Sequence, residues 1–344
     1  MGLNSVKIDK FWTDENSPEN IGRLVINELL SRQDFMYYDV EDVHAVHYAE
    51  ACAALGALRL IGLLKDDELL KKVVARYKRV IDLKIVNTAN HVDVNVYGIL
   101  PLEIYIQTGD KVFFEQGINL ADIQWRNPLP NGMTNQTRYW IDDIYMISSL
   151  QSQAFKATNN PVYLERASLE IDSYLEKLQQ PNGLFYHGEN AKFFWGRGNG
   201  WVAAGLAELM TILSESNKYY VNIKAGYLKI MKSLKKYQAS DGMWRQLVDN
   251  TDAWNETSGS AMFGYAMLIG VKKGILPEQK YLEACKKSWL SLTGYIQKDG
   301  KISDVCAGTG QSTDVNFYLN RPKITGDFHG QAPMLWFAHA LLSD

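Results

Sequence analysis

Trp140-Ile141-Asp142-Asp143-Ile144-Tyr145-Met146 sets two adjacent carboxylates between an indole and a phenol, at the head of an apolar segment reaching about Ala157. Acids at a helix start are ordinary, because unpaired N–H groups and the helix dipole favour negative charge there. Here, however, the arrangement recurs. Chemistry-bearing residues stand at or just before the start of six apolar segments: Asp42 and His44; Asp93 and Asn95; Trp140 and Asp142; Trp195, Arg197, Asn199 and Trp201; Trp254, Glu256 and Thr257; Asp327 and His329. Asp42, Asn95, Asn199 and Thr257 are good N-cap types, and capping accounts for some of the set. Tryptophan does not cap helices. Four Trp beside carboxylates and an Arg suggest a floor for sugar rings, although packing against the core explains any single Trp equally well.

The elements that must position these residues alternate in character. Val43–Leu63, Val96–Thr108, Ile141–Ala157, Gly200–Leu213, Thr257–Val271 and Gln331–Leu342 are apolar nearly all round, as buried helices are. Between them lie amphipathic stretches: Asp67–Asp82, Asp110–Ile123, Pro161–Gln179 with Pro161 suited to N1, Lys218–Tyr237 and Glu278–Tyr295. Ile21–Leu30, taken as partner of the last segment, completes twelve helices in six buried/exposed pairs. Buried helices begin near residues 42, 95, 140, 199, 257 and 331, a loose repeat. The pattern predicts an all-α (α/α)6 barrel, a six-hairpin toroid, as one domain over residues 1–344. Residues 1–19 form an N-terminal extension, and 297–330 a long loop near the active site. A superhelical solenoid is the rival, disfavoured because the first and last segments lack partners unless the ring closes. Alternation makes the inner helices parallel, so all six residue sets meet at one mouth.

Composition limits the partners. The chain has 344 residues, 46% of them hydrophobic, and a net charge of -3, so no general basic face for nucleic acid is implied. Cys52, Cys285 and Cys306 lie far apart, with no Cys/His cluster for a metal, and read as reduced thiols. No apolar signal core or membrane-length run is present, which reads as cytoplasmic, or periplasmic if a leader has been removed.

Three motifs carry a family resemblance: Trp140-Ile-Asp142-Asp-Ile-Tyr145-Met146, Phe194-Trp195-Gly-Arg197-Gly-Asn-Gly-Trp201 and Asn255-Glu256-Thr-Ser-Gly-Ser-Ala261-Met262. Together, from about residue 40 to 344, they resemble glycoside hydrolase family 105, the unsaturated rhamnogalacturonyl hydrolases related to the family 88 unsaturated glucuronyl hydrolases. The resemblance implies an (α/α)6 barrel without metal or cofactor. It also implies an oligosaccharide substrate with a terminal 4,5-unsaturated uronate, left by a polysaccharide lyase. Its reaction differs from the two-carboxylate glycosidase scheme: an acid protonates C4 of a vinyl ether, water adds at C5, and the hemiketal opens to a keto-uronate and expels the aglycone. Carried over by residue, Asp142 is the acid/base and Asp93 the second carboxylate. His187, Trp195, Arg197, Trp201 and Trp140 line the site, with Arg197 a natural partner for the uronate carboxylate. Asp143 has no counterpart and is expected to cap or form a salt bridge.

One physical tension accompanies this reading. The helix terminus lowers the pKa of Asp142, whereas the chemistry needs it near working pH. Desolvation among Trp140, Trp195 and Trp201, with the like charge of Asp93, opposes the dipole. The expectation is an elevated Asp142 beside an ionised Asp93. The 297–330 loop reads as a lid or subsite wall, or equally as a packed surface loop; in it Arg321, Lys323 and His329 are candidate anion contacts, and His44 stands at the first helix start. An inverting glycosidase, a sugar epimerase using paired His, and a non-catalytic carbohydrate-binding protein remain alternatives. His44, His47, His187 and His329 leave the epimerase open.

Overall fold

The protein is described by a computed structural model covering residues 8–38, 43–87 and 90–343. In chain order the first helices are α1 (Pro18–Ser31), α2 (Tyr48–Leu64), α3 (Asp67–Asp82), α4 (Val92–Asn95), α5 (Ile99–Thr108), α6 (Lys111–Ile123) and α7 (Asp143–Thr158). They continue with α8 (Pro161–Leu178), α9 (Gly196–Met210), α10 (Tyr220–Tyr237), α11 (Thr257–Lys272), α12 (Glu278–Thr293), α13 (Val315–Leu319) and α14 (Phe328–Leu342). Two short strands, β1 (Val305–Cys306) and β2 (Lys323–Ile324), pair antiparallel ahead of α14.

Burial separates the long helices into two sets. Every residue of α9 is buried, and α11 and α14 are nearly so. In contrast, α3 buries one stripe, Leu69, Val73, Arg76, Tyr77 and Val80. A helix apolar all round has to be enclosed, whereas a striped one packs from outside. Accordingly α2 packs on α5, α5 on α7, α7 on α9, α9 on α11, α11 on α14, and α14 returns to α2. Outside this ring α3 covers α2, α6 covers α5, α8 covers α7, α10 covers α9, α12 covers α11 and α1 covers α14. The first helix therefore pairs with the last. The solenoid is excluded and the (α/α)6 barrel holds. At the closing seam the Trp336 indole N–H donates to the Cys52 carbonyl at 3.0 Å, and a Cβ on Gly56 would lie 2.7 Å from that ring. Burying a ring of this size contributes about 1.5–3 kcal/mol.

The return from outer to inner helix reuses one turn. Gln180 N–H donates to Leu184 O, and Ala239 N–H and Gln297 N–H do the same to Met243 O and Lys301 O. Each turn carries a glycine of positive φ; Gly183 and Gly300 also press on the next outer helix, where a Cβ would lie 2.5 Å from Lys229 O and 2.6 Å from Leu24 O. Only glycine tolerates both constraints. Gly300 reaches α1, so the repeat runs on across the closure.

Several boundaries differ from the sequence expectation. The first buried helix starts at Tyr48 rather than near 42, because Val46 is held by a bridge to Tyr37 and His47 caps α2; Asp42 lies outside the described residues. The second breaks into α4, a 3-10 turn at Val96–Gly98, and α5. Asn199 sits inside α9 and caps nothing; its side chain bonds the Phe185 N–H at 2.8 Å and the Phe185 and Trp195 carbonyls. The cap of α11 is Glu256, not Thr257. Within the N-terminal extension Phe11 and Trp12 pack on the core, and the Trp289 indole donates to Asn16 O at 2.8 Å. Among the described residues no helix is long and apolar enough to cross a membrane, and the three cysteines are buried and free.

Candidate active site

The inner helices start at one end of the ring, and a cavity of about 230 Å³ opens there. It is lined by Tyr38, His47, Tyr48, Asp93, Arg138, Trp140, Asp142, Trp195, Thr309 and Gly310. Of the residues singled out in the sequence, Asp93, Trp140, Asp142 and Trp195 line it. The volume is small beside the ~300–1,000 Å³ of drug-sized pockets and suits one sugar ring rather than a chain laid along its length.

Asp142 stands at the N-cap position of α7, yet its side chain caps nothing. Its carbonyl accepts from Tyr145 N–H at 3.0 Å and Met146 N–H at 3.2 Å, which leaves the carboxyl to the pocket. Its Oδ2 is buried without a hydrogen-bond partner among the described residues and lies 3.9 Å from His187 Nε2. Burial first, and then the negative charges of Asp93 and Asp143, push this carboxyl up to about 7, against Arg138 and Arg197. Desolvation and like charge thus outweigh the helix terminus.

Asp143, the adjacent residue, is fully buried and engaged throughout. It receives Arg138 Nη2 at 2.6 Å, Arg138 Nε at 3.0 Å, the Arg138 backbone N–H at 3.1 Å and the Tyr174 hydroxyl at 2.7 Å. The same guanidinium donates to Asp93 at 3.2 and 3.3 Å, and the Tyr38 hydroxyl adds a bond to Asp93 at 3.0 Å. Asp93 rides on the short α4, whose start is capped by His91 Nδ1 accepting the Asp93 N–H.

The other candidates surround the pocket rather than line it. His187 is fully buried, its Nδ1 is 2.7 Å from the Tyr318 hydroxyl, and burial drives its pKa down to about 3, so the ring is neutral. Trp201 lies beneath the floor against Tyr145, Tyr48 and Trp336, so it is core and not a sugar platform. Arg197 gives its guanidinium to the carbonyls of Cys306 and Ala307 and stacks on Trp195 at 4.8 Å. That commits Nη1 and Nη2 to the loop backbone and leaves the buried Nε without a partner among the described residues. Arg321 donates to Gly308 O and to Thr309 Oγ1, bracing the tip of the 297–330 loop where Thr309 and Gly310 enter the pocket. Lys323 pairs with Asp304 at 2.7 Å. His329 is bonded to Asp327 at 2.6 Å and to the Tyr48 hydroxyl at 2.8 Å, which places it behind the wall. His44 is exposed and stacks on Tyr37, outside the lining. Among the described residues no three His, Cys, Asp or Glu side chains group as metal ligands.

Tyr38, Tyr48 and Arg138 were not legible as site residues in the sequence, and His47 enters there only for the epimerase alternative. For Arg138 a signal existed: two adjacent carboxylates entering a core need a cation, and Arg138 is the basic residue nearest them in the chain.

The family model of glycosyl hydrolase family 88 matches residues 21–343. The chain belongs to glycosyl hydrolase family 88. Relatives of this family 88 chain include the unsaturated 3S-rhamnoglycuronyl hydrolase of Formosa agariphila, 26% identical over 53% of this chain and 53% of that protein. The unsaturated rhamnogalacturonyl hydrolase YesR of Bacillus subtilis is 23% identical over 62% of this chain and 66% of its own length. The chain thus spans about half to two thirds of the length of these curated relatives. A solved structure from Salmonella enterica serovar Paratyphi A, described as a possible member of family 105, superposes with a TM-score of 0.84 at 18% identity, covering 98% of this chain and 96% of that one. At that identity the superposition speaks for the shared fold.

Proposed function

We propose that this family 88 protein removes a 4,5-unsaturated uronic acid from the non-reducing end of lyase-generated oligosaccharides, with Asp142 as the acid/base. The observation that carries the reading is the Asp142 carboxyl itself: buried, capping nothing, open to a one-sugar pocket and raised to about 7. Such a group is protonated often enough near neutrality to give a proton to C4 of the vinyl ether, and basic enough afterwards to take one from water adding at C5. Asp93 stands in the same pocket as the second carboxylate, suited to stabilising the cationic centre that develops at C5. The hemiketal then opens to the keto-uronate and the aglycone leaves.

Two further features support an anionic sugar ring. The parallel inner helices aim their N-terminal ends, with their partial positive charge, at the mouth. Trp140 and Trp195 provide faces for a ring, and the buried Trp195 indole N–H has no protein acceptor. The names of the relatives, an unsaturated rhamnoglycuronyl hydrolase and an unsaturated rhamnogalacturonyl hydrolase, agree with this substrate class. An epimerase is less well supported, because among the described residues His47 is the one histidine of the lining, and its Nδ1 accepts the Ala49 N–H at 3.1 Å.

A panel of lyase-generated oligosaccharides tests the reading. Loss of the ultraviolet absorbance of the conjugated uronate is expected with unsaturated ends. Release of sugar from saturated uronides would overturn the vinyl-ether mechanism.

A further inference from the structure

Arg138 belongs to no helix; it lies in the segment between α6 and α7, and its guanidinium reaches carboxylates on two different elements. It holds Asp143 on α7 at 2.6 Å and Asp93 on α4 at 3.2 Å, approaches His91 Nε2 at 3.0 Å, and lies over the Trp140 ring at 5.1 Å. It makes no hydrogen bond to Asp142, which shares the pocket lining with Asp93 and precedes Asp143 in the chain. We infer that Arg138 is a positioning residue for proton transfer: by bridging Asp93 and Asp143 it fixes the second carboxylate in the pocket and offsets the negative charge around Asp142 without engaging Asp142 itself. The inference rests on the reaction proposed above.

A planar guanidinium can serve two carboxylates at once, which an ammonium point charge does less well. The groups acting on Asp142 are Asp93 from α4, Asp143 from α7, Arg138 itself, Arg197 from α9, His187 from the loop after α8, Tyr318 from α13, and Tyr38 and Tyr48 across the pocket. Of the two cations acting on Asp142, Arg197 is bonded to the Cys306 and Ala307 carbonyls, so the cation tied to the flanking acids is Arg138. Without it two buried negative charges stand beside Asp142 uncompensated. The Asp142 proton is then held more tightly, and the alkaline limb of the pH profile moves to higher pH.

The test compares wild type, Arg138→Gln and Arg138→Lys on an unsaturated uronide, measuring kcat and KM across the pH range of activity. A 13C-carboxyl titration of Asp142, assigned with Asp142→Asn, runs alongside. The expected result for R138Q is a kcat lowered about 10- to 100-fold through misplacement of Asp93, with KM little changed. Its alkaline limb and the Asp142 titration are expected to move up by about one pH unit. R138K should restore most of the limb and part of the rate, and it carries the test if R138Q does not fold. A folded R138Q with wild-type limb and titration overturns the inference, whether or not its rate has fallen. Wild type inactive on every unsaturated uronide defeats the proposed reaction instead, and the carboxyl titration still decides the role of Arg138.

Discussion

Asp142 Oδ2 and His187 Nε2 face each other at 3.9 Å, both buried and neither with a hydrogen-bond partner among the described residues. Buried polar atoms are seldom left unpaired, because each costs about 1–3 kcal/mol. With His187 neutral, the two form a gap lined by polar atoms, suited to a water or a substrate hydroxyl. Asp142→Asn is therefore expected to abolish turnover and leave substrate affinity largely intact, measured by rate and by isothermal titration. A near-normal rate in that variant would sink the assignment.

The pH dependence follows from the same carboxyl. With its value at about 7, the protonated form declines as pH rises through neutrality. The kcat/KM profile is expected to fall about tenfold per pH unit above that point, as for any single essential acid. A profile flat to well above neutrality would exclude Asp142 as the proton donor.

Stability should respond in a matching sense. The folded value of Asp142, about 7, lies above the unfolded one. The protonated carboxyl's contribution is complete below the unfolded value, about pH 4, and is lost as pH rises through the folded value. Asp142→Asn, of similar shape and uncharged, is expected to raise Tm at alkaline pH by about 1–2 °C for each kcal/mol gained by removing the buried charge, and to do little in mild acid. Scanning fluorimetry at both pH values checks this; a Tm change independent of pH would contradict it.

Arg197 bears on the loop. Its bonds to the Cys306 and Ala307 carbonyls anchor the chain leading to Thr309 and Gly310 in the pocket lining. Arg197→Gln is expected to raise KM about tenfold, the loss of one or two charge-assisted bonds. It should also quicken limited proteolysis within residues 307–314. A raised KM with unchanged proteolysis would return Arg197 to the role of anion contact.

At the far end of the barrel the ring is tied by charge. Glu208 on α9 pairs with Arg59 on α2, with Lys156 on α7 at 3.2 Å, and with the Tyr265 hydroxyl on α11 at 2.6 Å. The cations and hydrogen bonds hold Glu208 far below the usual carboxylate range despite its burial. Glu208→Gln leaves two partly buried cations short of a buried partner and is expected to cost about 3 kcal/mol in urea unfolding, the lower end for a broken buried pair. A loss below about 1 kcal/mol, the value of a surface pair, would show that solvent reaches the network.

Much of this architecture could be read from the chain. The pairing of apolar and striped helices, Pro161 opening α8, and the partnership of α1 with the last helix follow from where apolar residues fall, because burial has to match hydrophobic period. Start points were less legible. Asn199 looks like a cap but ties Phe185 from inside α9, since a side chain that bonds backbone serves either end with the same chemistry. Trp195 and Trp201 look alike in sequence, yet Trp195 lines the pocket and Trp201 belongs to the core.

The adjacent acids Asp142 and Asp143 show where sequence ends. By itself the chain determined that two carboxylates begin a buried helix, and that one must be compensated, since a core does not accept two bare charges. Successive helical residues point about 100° apart, so at most one could face the mouth. The family resemblance points to Asp142, and the tertiary structure supplies the physical reason: Tyr174 from α8 and Arg138 from the preceding segment converge on Asp143 and leave Asp142 to the cavity. The partners that divide the work, Tyr38, Arg138, Asp93 and Thr309, lie on separate elements, and only closure of the ring brings them together.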